Sequence, residues 1–339
     1  MINVSRTAHS IQSLPAYPAD LFRASFGVNA GDPIGILDEL VMDDVYELRS
    51  SASPARLGIC AQLDGGFSVH HDSALGTPGA PLFLDGVVTL MPELGAAVEA
   101  LLIVETDPEG MIAAIYLLPQ APLAPFTGYR LVNGTRQGLQ HRLAQMSCVA
   151  FARGTRITLA TGAQRAIEDL RPGDRILTRD SGAQPITWIG QTTLRAVGEM
   201  APILIRKGAL NNARDLLVSP DHRLMVYQRS DALQAGRLEL LLRARDLVNG
   251  DTVVVQDGGF VDYFQILFDR HYIIYAEGIA AESLLVDPIS QPTLPADVQW
   301  RMRSTRRHGA RADHGLDVKR PLLEERPDAV DLLRRASLR

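Results

Sequence analysis

Two cysteines and eight histidines carry the most reactive side chains of this chain. Cys148 opens the stretch CVAFARGTRITLATGAQRAIEDLRPGDRILTRDSG, and His222 follows Ser219 by three residues in LLVSPDHRLMVY. Asp269 and His271 lie two apart in VDYFQILFDRHYIIYAEG. A thiol attacks as its thiolate, an imidazole favours that form and can carry a proton to a leaving group, and a hydroxyl can hold an amide or an oxyanion. Taken singly, none of these is specific. A cysteine at a strand start is commonly an inert core residue, and Ser-x-x-His occurs by chance in most long chains. Cys60, in ARLGICAQL, is read as a core residue. His70 and His71 sit together on the strand GFSVHH, which points them to opposite faces. Two cysteines without paired spacing outline neither a disulfide framework nor a zinc site, so no metal and no cofactor is expected.

These residues must be positioned by strands. Around Cys148 run the short strand RITL, the turn TG, the helical turn AIEDL, the turn PGD and the strand RILTRD, a compact β-turn-β arrangement. His222 stands at the head of one of two apolar strands, and Asp269 and His271 lie between two others. Upstream, from about Leu40 to Val132, short apolar runs such as ARLGICAQL, LFLDGVVTLM and VEALLIVET are broken by Asp-Gly, Gly-Gly and Pro-Gly, the pattern of antiparallel strands. The proline-rich PQAPLAPFTG reads as a connector. Beyond Pro288 periodicity fails and Arg and Lys outnumber Asp and Glu, the composition of a solvated tail. Its end, PDAVDLLRRASLR, could form a short amphipathic helix.

At 339 residues the chain is long enough for two domains and a tail. The expected fold class is all-β: an N-terminal β-rich, sandwich-like domain over 1–147, an all-β domain over 148–285, and a flexible basic tail over 286–339. Hydrophobic residues at 46% and charged residues at 22% are the balance of a folded protein. A net charge of −5 gives no electrostatic reason to hold nucleic acid or an anionic membrane. The N-terminus lacks the unbroken apolar stretch of a Sec-type signal, and no run of about eighteen apolar residues offers a membrane span. Synthesis in the cytoplasm is expected, with non-classical export left open.

The matched order of residues resembles the Hint (hedgehog/intein) family. Its domains begin with Cys and a nearby Phe, then Gly-Thr, a strand, a Gly turn, Ile-x-x-Leu and x-x-Gly-Asp; Cys148, Phe151, Gly154, Thr155, Ile167, Leu170, Gly173 and Asp174 follow that order. The family's Thr-x-x-His is matched by Ser219-Pro220-Asp221-His222, with Ser in place of Thr. Its closing segment is matched by Asp269, His271, Gly278 and IAAES. As a set, TWIGQTTLRA, APILIRKGAL, LLVSPDHRL and YAEGIAAESL resemble the bacterial hedgehog/intein branch. The resemblance covers roughly two fifths of the chain.

That resemblance implies a Hint-type all-β horseshoe domain over 148–285, and self-processing. Cys148 would attack the carbonyl of Ser147 in an N-to-S acyl shift, His222 would donate a proton to the departing amide nitrogen, and Ser219 would hold the scissile amide or its oxyanion. His271 would assist or hydrogen-bond within its strand, with Asp269 beside it. The acyl acceptor could be water, a thiol or an amine, and a protein partner is compatible with this chemistry. Splicing is not expected, because Glu282-Ser283 stands where splicing inteins carry His-Asn. Sterol transfer is unsupported, because the acid residue that hedgehog proteins use between the first two segments is replaced here by QTTLRA. The rival reading is an inactive Hint-like scaffold serving interaction or secretion. A cysteine hydrolase is disfavoured, since Cys148 precedes strand-like sequence and not a helix N-terminus.

Overall fold

The computed structural model describes residues 11–49, 52–62, 66–146, 149–227, 236, 238–286, 290–291, 294–295 and 297–299. Ser147, Cys148 and residues 300–339 lie outside the described residues, so the expected tail and its terminal helix do too. The chain divides into two compact units, built on His9–Ser147 and on Cys148–Val286. No helix among the described residues is long and apolar enough to cross a membrane.

The first unit is one antiparallel sheet of nine strands: β1 (Ile11–Pro18), β2 (Phe22–Phe26), β3 (Val45–Leu48), β4 (Ala55–Ala61), β5 (Phe67–Val69), β6 (Pro81–Pro92), β7 (Val98–Thr106), β8 (Ile112–Pro119) and β9 (Gly128–Thr135). Their order is β2-β3-β9-β6-β5-β4-β1-β8-β7, and β6 also pairs with β7. That last pairing closes the sheet on itself, so the unit is barrel-like where the sequence suggests a sandwich. The long β6 makes closure geometrically available: it pairs with β5 and β9 along its length, and register shifts at Leu84/Gly86 and Thr89/Leu90 bend it. PQAPLAPFTG is the connector from β8 to β9, and Leu123 within it is buried. A short helix that alternation does not announce, α1 (Leu139–Met146), follows β9. Its Leu143 is buried, and its Arg142 lies 2.9 Å from Glu99 of β7.

The second unit has two antiparallel sheets. One contains β10 (Phe151–Ala152), β15 (Trp188–Arg195), β16 (Ile203–Ile205), β17 (Leu216–Val218), β20 (Val253–Val255) and β21 (Phe260–Leu267), in the order β15-β21-β10-β17-β16-β20. The other contains β11 (Arg156–Thr158), β12 (Gln164–Ala166), β13 (Arg175–Thr178), β14 (Gly182–Pro185), β18 (Arg223–Tyr227), β19 (Glu239–Arg243), β22 (Ile273–Ala276) and β23 (Ile279–Glu282). Inward-facing residues of both sheets, among them Phe151, Val218, Phe264, Ile157, Leu224 and Ile274, form one core.

The turns that the sequence singles out are built by side chains. The Asp174 carboxylate accepts from the Arg171 N–H at 2.8 Å, closing the PGD turn, and Glu168 accepts from the Gly154 N–H at 2.9 Å. Strands β22 and β23 meet through Glu277-Gly278, both at positive φ (50° and 86°), as a two-residue hairpin of right-handed twist requires. Glycine adopts this freely, whereas glutamate does not. Glu277 is held there by its own carboxylate, which accepts from the Arg156 N–H at 2.7 Å.

Candidate functional site

Strand β10 is only two residues long, yet it lies in the middle of its sheet. Phe151 pairs with Val218 of β17 on one side and Phe264 of β21 on the other. This threading brings Ala150, two residues after Cys148, against the turn between β17 and β18. The Ser219 N–H donates to the Ala150 carbonyl at 2.9 Å, and the Ala150 N–H donates to Ser219 Oγ at 2.9 Å. His222 Nδ1 lies 3.0 Å from the same Ala150 carbonyl oxygen. Ser219, His222 and the chain just after Cys148 are therefore one hydrogen-bonded cluster.

His222 is wholly buried, with its ring centroid 4.3 Å from that of Phe151. Its other ring nitrogen, Nε2, lies 3.1 Å from the carbonyl oxygen of Glu282 in β23. Two carbonyl oxygens thus face one imidazole. A neutral ring has a single N–H and satisfies one of them; an imidazolium satisfies both. Burial nevertheless pushes the His222 imidazole below its ordinary value, opposed by the Glu282 charge and the two carbonyl contacts and reinforced by Arg223.

The Glu282 side chain is buried at 1% exposure and faces Arg223 and His271. Arg223 Nε donates to Oε1 at 2.8 Å, Arg223 Nη2 lies 2.8 Å from Oε2, and His271 Nε2 lies 3.3 Å from Oε2. Burial works against ionisation here, but the Arg223 guanidinium and His271 hold this carboxyl well below the usual carboxylate range. Ser283 is also buried. Its hydroxyl accepts from the Tyr272 N–H at 2.9 Å, and its own N–H donates to the Tyr272 carbonyl at 2.8 Å.

The expected site residues have different locations. Ser219 and His222 come together with Ala150, and His271 reaches the cluster through Glu282. Asp269 is exposed in the turn before β22, where its carboxylate accepts from the Tyr272 hydroxyl at 3.0 Å. Cys148 and Ser147 lie outside the described residues. Sequence reasoning missed Arg223 and gave Glu282 no part in the site; a neighbour of His222 paired with a residue 59 positions away leaves no local signal. It also missed Asp221, buried and bridged to Arg245 at 2.7 Å and Arg243 at 3.4 Å, which anchors the turn carrying Ser219 and His222.

In the first unit, the expectation that His70 and His71 point to opposite faces is wrong. Strand β5 ends at Val69, so both lie past it, where strict alternation no longer applies, and their ring centroids are 4.0 Å apart. With Asp72 they place three ligand atoms within 4.8 Å of one another, a group able to approach a metal ion; His71 and Asp72 are exposed. The Asp72 N–H donates to His70 Nδ1 at 3.2 Å, so that nitrogen is already engaged.

Residues 149–288 match the family model of the Hint domain. The solved gp41-1 intein is 12% identical, with a TM-score of 0.26, over 40% of this chain and 98% of that one. The solved MchDnaB-1 intein is 14% identical, with a TM-score of 0.26, over 40% of this chain and 100% of that one. No curated protein matches the chain. The family match carries the assignment of one segment: residues 149–288 form a Hint domain, and the match does not extend to the rest of the chain.

Proposed function

We propose that the chain cleaves itself at Ser147–Cys148 by an N-to-S acyl shift and does not splice. The Cys148 thiolate adds to the Ser147 carbonyl carbon through a five-membered ring. A C–S bond forms, the C–N bond between Ser147 and Cys148 breaks, and a proton passes from His222 to the freed nitrogen. A covalent neighbour gives the thiol a high effective concentration, so the site needs mainly a proton donor and a fixed backbone. Water, a thiol or an amine then takes the acyl group from the thioester, releasing residues 1–147.

The observation that carries this reading is the 3.0 Å approach of buried His222 Nδ1 to the Ala150 carbonyl, two residues after the thiol and within a Hint domain. Ser219 supports the same backbone through its hydroxyl. Splicing needs an asparagine side chain to attack its own carbonyl, whereas Glu282-Ser283 stands there, with the Ser283 hydroxyl engaged by the Tyr272 backbone. The test is the rate of thiol-induced cleavage of the full chain. His222→Ala should slow it by about 10²-fold or more, the usual scale for a positioned general acid, and His271→Ala by less. Negligible effects from both, in variants shown to be folded by circular dichroism, overturn the assignment of His222.

A further inference from the structure

The contacts of Glu282 give the site a second layer of control. Its backbone carbonyl lies on His222 Nε2, while its buried carboxylate is held by Arg223 from β18 and approached by His271 from the β21–β22 turn. One residue therefore joins a ring nitrogen of the candidate proton donor to a fixed buried charge. We propose that Glu282 is a positioning residue for His222: its clamped side chain keeps the Glu282 carbonyl on the ring, and its charge opposes loss of the ring's second proton against the repulsion of Arg223. This deepens the self-processing reading, since a proton donor must hold that second proton.

The surroundings of His222 leave few other candidates for this control. Phe151 of strand β10 and Ala150 just before it do not titrate, and the turn contributes Ser219 and Asp221. Asp221 is already bridged to Arg243 of β19 and to Arg245. The charges acting on the ring with opposite sign are thus Glu282 and Arg223. They form a pair in which Glu282 is buried and Arg223 is partly buried, and neutralising one member leaves the other uncompensated.

The test follows the His222 ring by nitrogen-15 and carbon-13 NMR from about pH 4 to about pH 8, in the full chain carrying Cys148→Ala so that cleavage cannot intervene. Glu282→Gln should lower the titration midpoint by about one pH unit, and Arg223→Gln should raise it by about as much, the scale expected for one nearby charge. Arg223→Lys, which keeps the charge, should leave it in place. A merely structural pair would alter stability without opposite shifts. Either neutral variant decides alone if the other does not fold, and Arg223→Lys supplies the folded control. Unchanged midpoints, or shifts of the same sign, overturn the proposal. Opposite shifts in a protein whose Cys148 form never cleaves would sustain the positioning role and reject the acyl-shift reading.

Discussion

Replacing Ser219 with Ala removes the acceptor of one buried backbone N–H. Ala150 has 0% exposure, and its N–H donates to Ser219 Oγ at 2.9 Å. Alanine at 219 leaves that donor without its partner in a site where Ser219 itself is 3% exposed. An orphaned buried donor costs about 1 to 3 kcal/mol, and the reciprocal Ser219 N–H to Ala150 carbonyl bond is a backbone contact that the substitution leaves intact. With a urea dependence of roughly 2 kcal/mol per molar for a domain of this size, a loss of about 2 kcal/mol moves the unfolding midpoint down by about 1 M. The assay is urea unfolding followed by tryptophan fluorescence, in the Cys148→Ala background. Trp188 lies in the Hint domain and Trp300 beyond it, so the first unit contributes no tryptophan signal. Ser219→Thr, which keeps the hydroxyl, should recover most of the loss. A loss below about 0.5 kcal/mol for Ser219→Ala, the scatter of ordinary surface changes, would refute the claim that this hydroxyl holds the segment after Cys148.

Asp221→Ala should destabilise the Hint domain by about 2 to 3 kcal/mol in the same assay, below the full range for a broken buried pair because Arg243 and Arg245 keep some water contact; a neutral result would show that the turn is anchored elsewhere. Stability should fall as the solution becomes acidic. His222 is held below its ordinary 6.5, so its contribution is complete above that value and is lost as pH drops beneath it, with a limiting slope of about 1.4 kcal/mol per pH unit for one proton. Glu282 adds a second loss below its ordinary 4.5, because its folded value is also depressed. Urea midpoints that stay flat or rise from about pH 7 to about pH 5 would contradict the His222 part. Finally, no product should join residues 1–147 to the chain after Ser283. A tryptic peptide spanning that junction would overturn the non-splicing reading, and an intact 277–301 region in every product would sustain it.

Much of the second unit was legible because its signals are local. Gly173-Asp174 and Ile167 to Leu170 specify turns through their own side chains and burial, and Ser219 and His222 lie in one turn between strands that the apolar runs reveal. The first unit was legible as β structure but not as a closed sheet. Alternation shows which residues face inward along a strand, whereas closure depends on β6 meeting both β5 and β7, a matter of long-range pairing. His70 and His71 were misread because the end of β5 leaves no sharp mark between Val69 and His70. Glu282 was visible only as a replacement for the family's usual residue. Its link to His222 through a backbone carbonyl carries no side-chain signature at all, and its pairing with Arg223 spans 59 positions.

The most direct test of the acyl shift is the intact mass of the purified chain after prolonged incubation with dithiothreitol, beside the same chain carrying Cys148→Ala. The 36.9 kDa parent should break between Ser147 and Cys148 into pieces of about 16 and about 21 kDa, in proportion to residues 1–147 and 148–339, by thiol exchange on the thioester, and the alanine chain should stay whole. A parent that remains at full mass, or an alanine variant that breaks as fast, would contradict it.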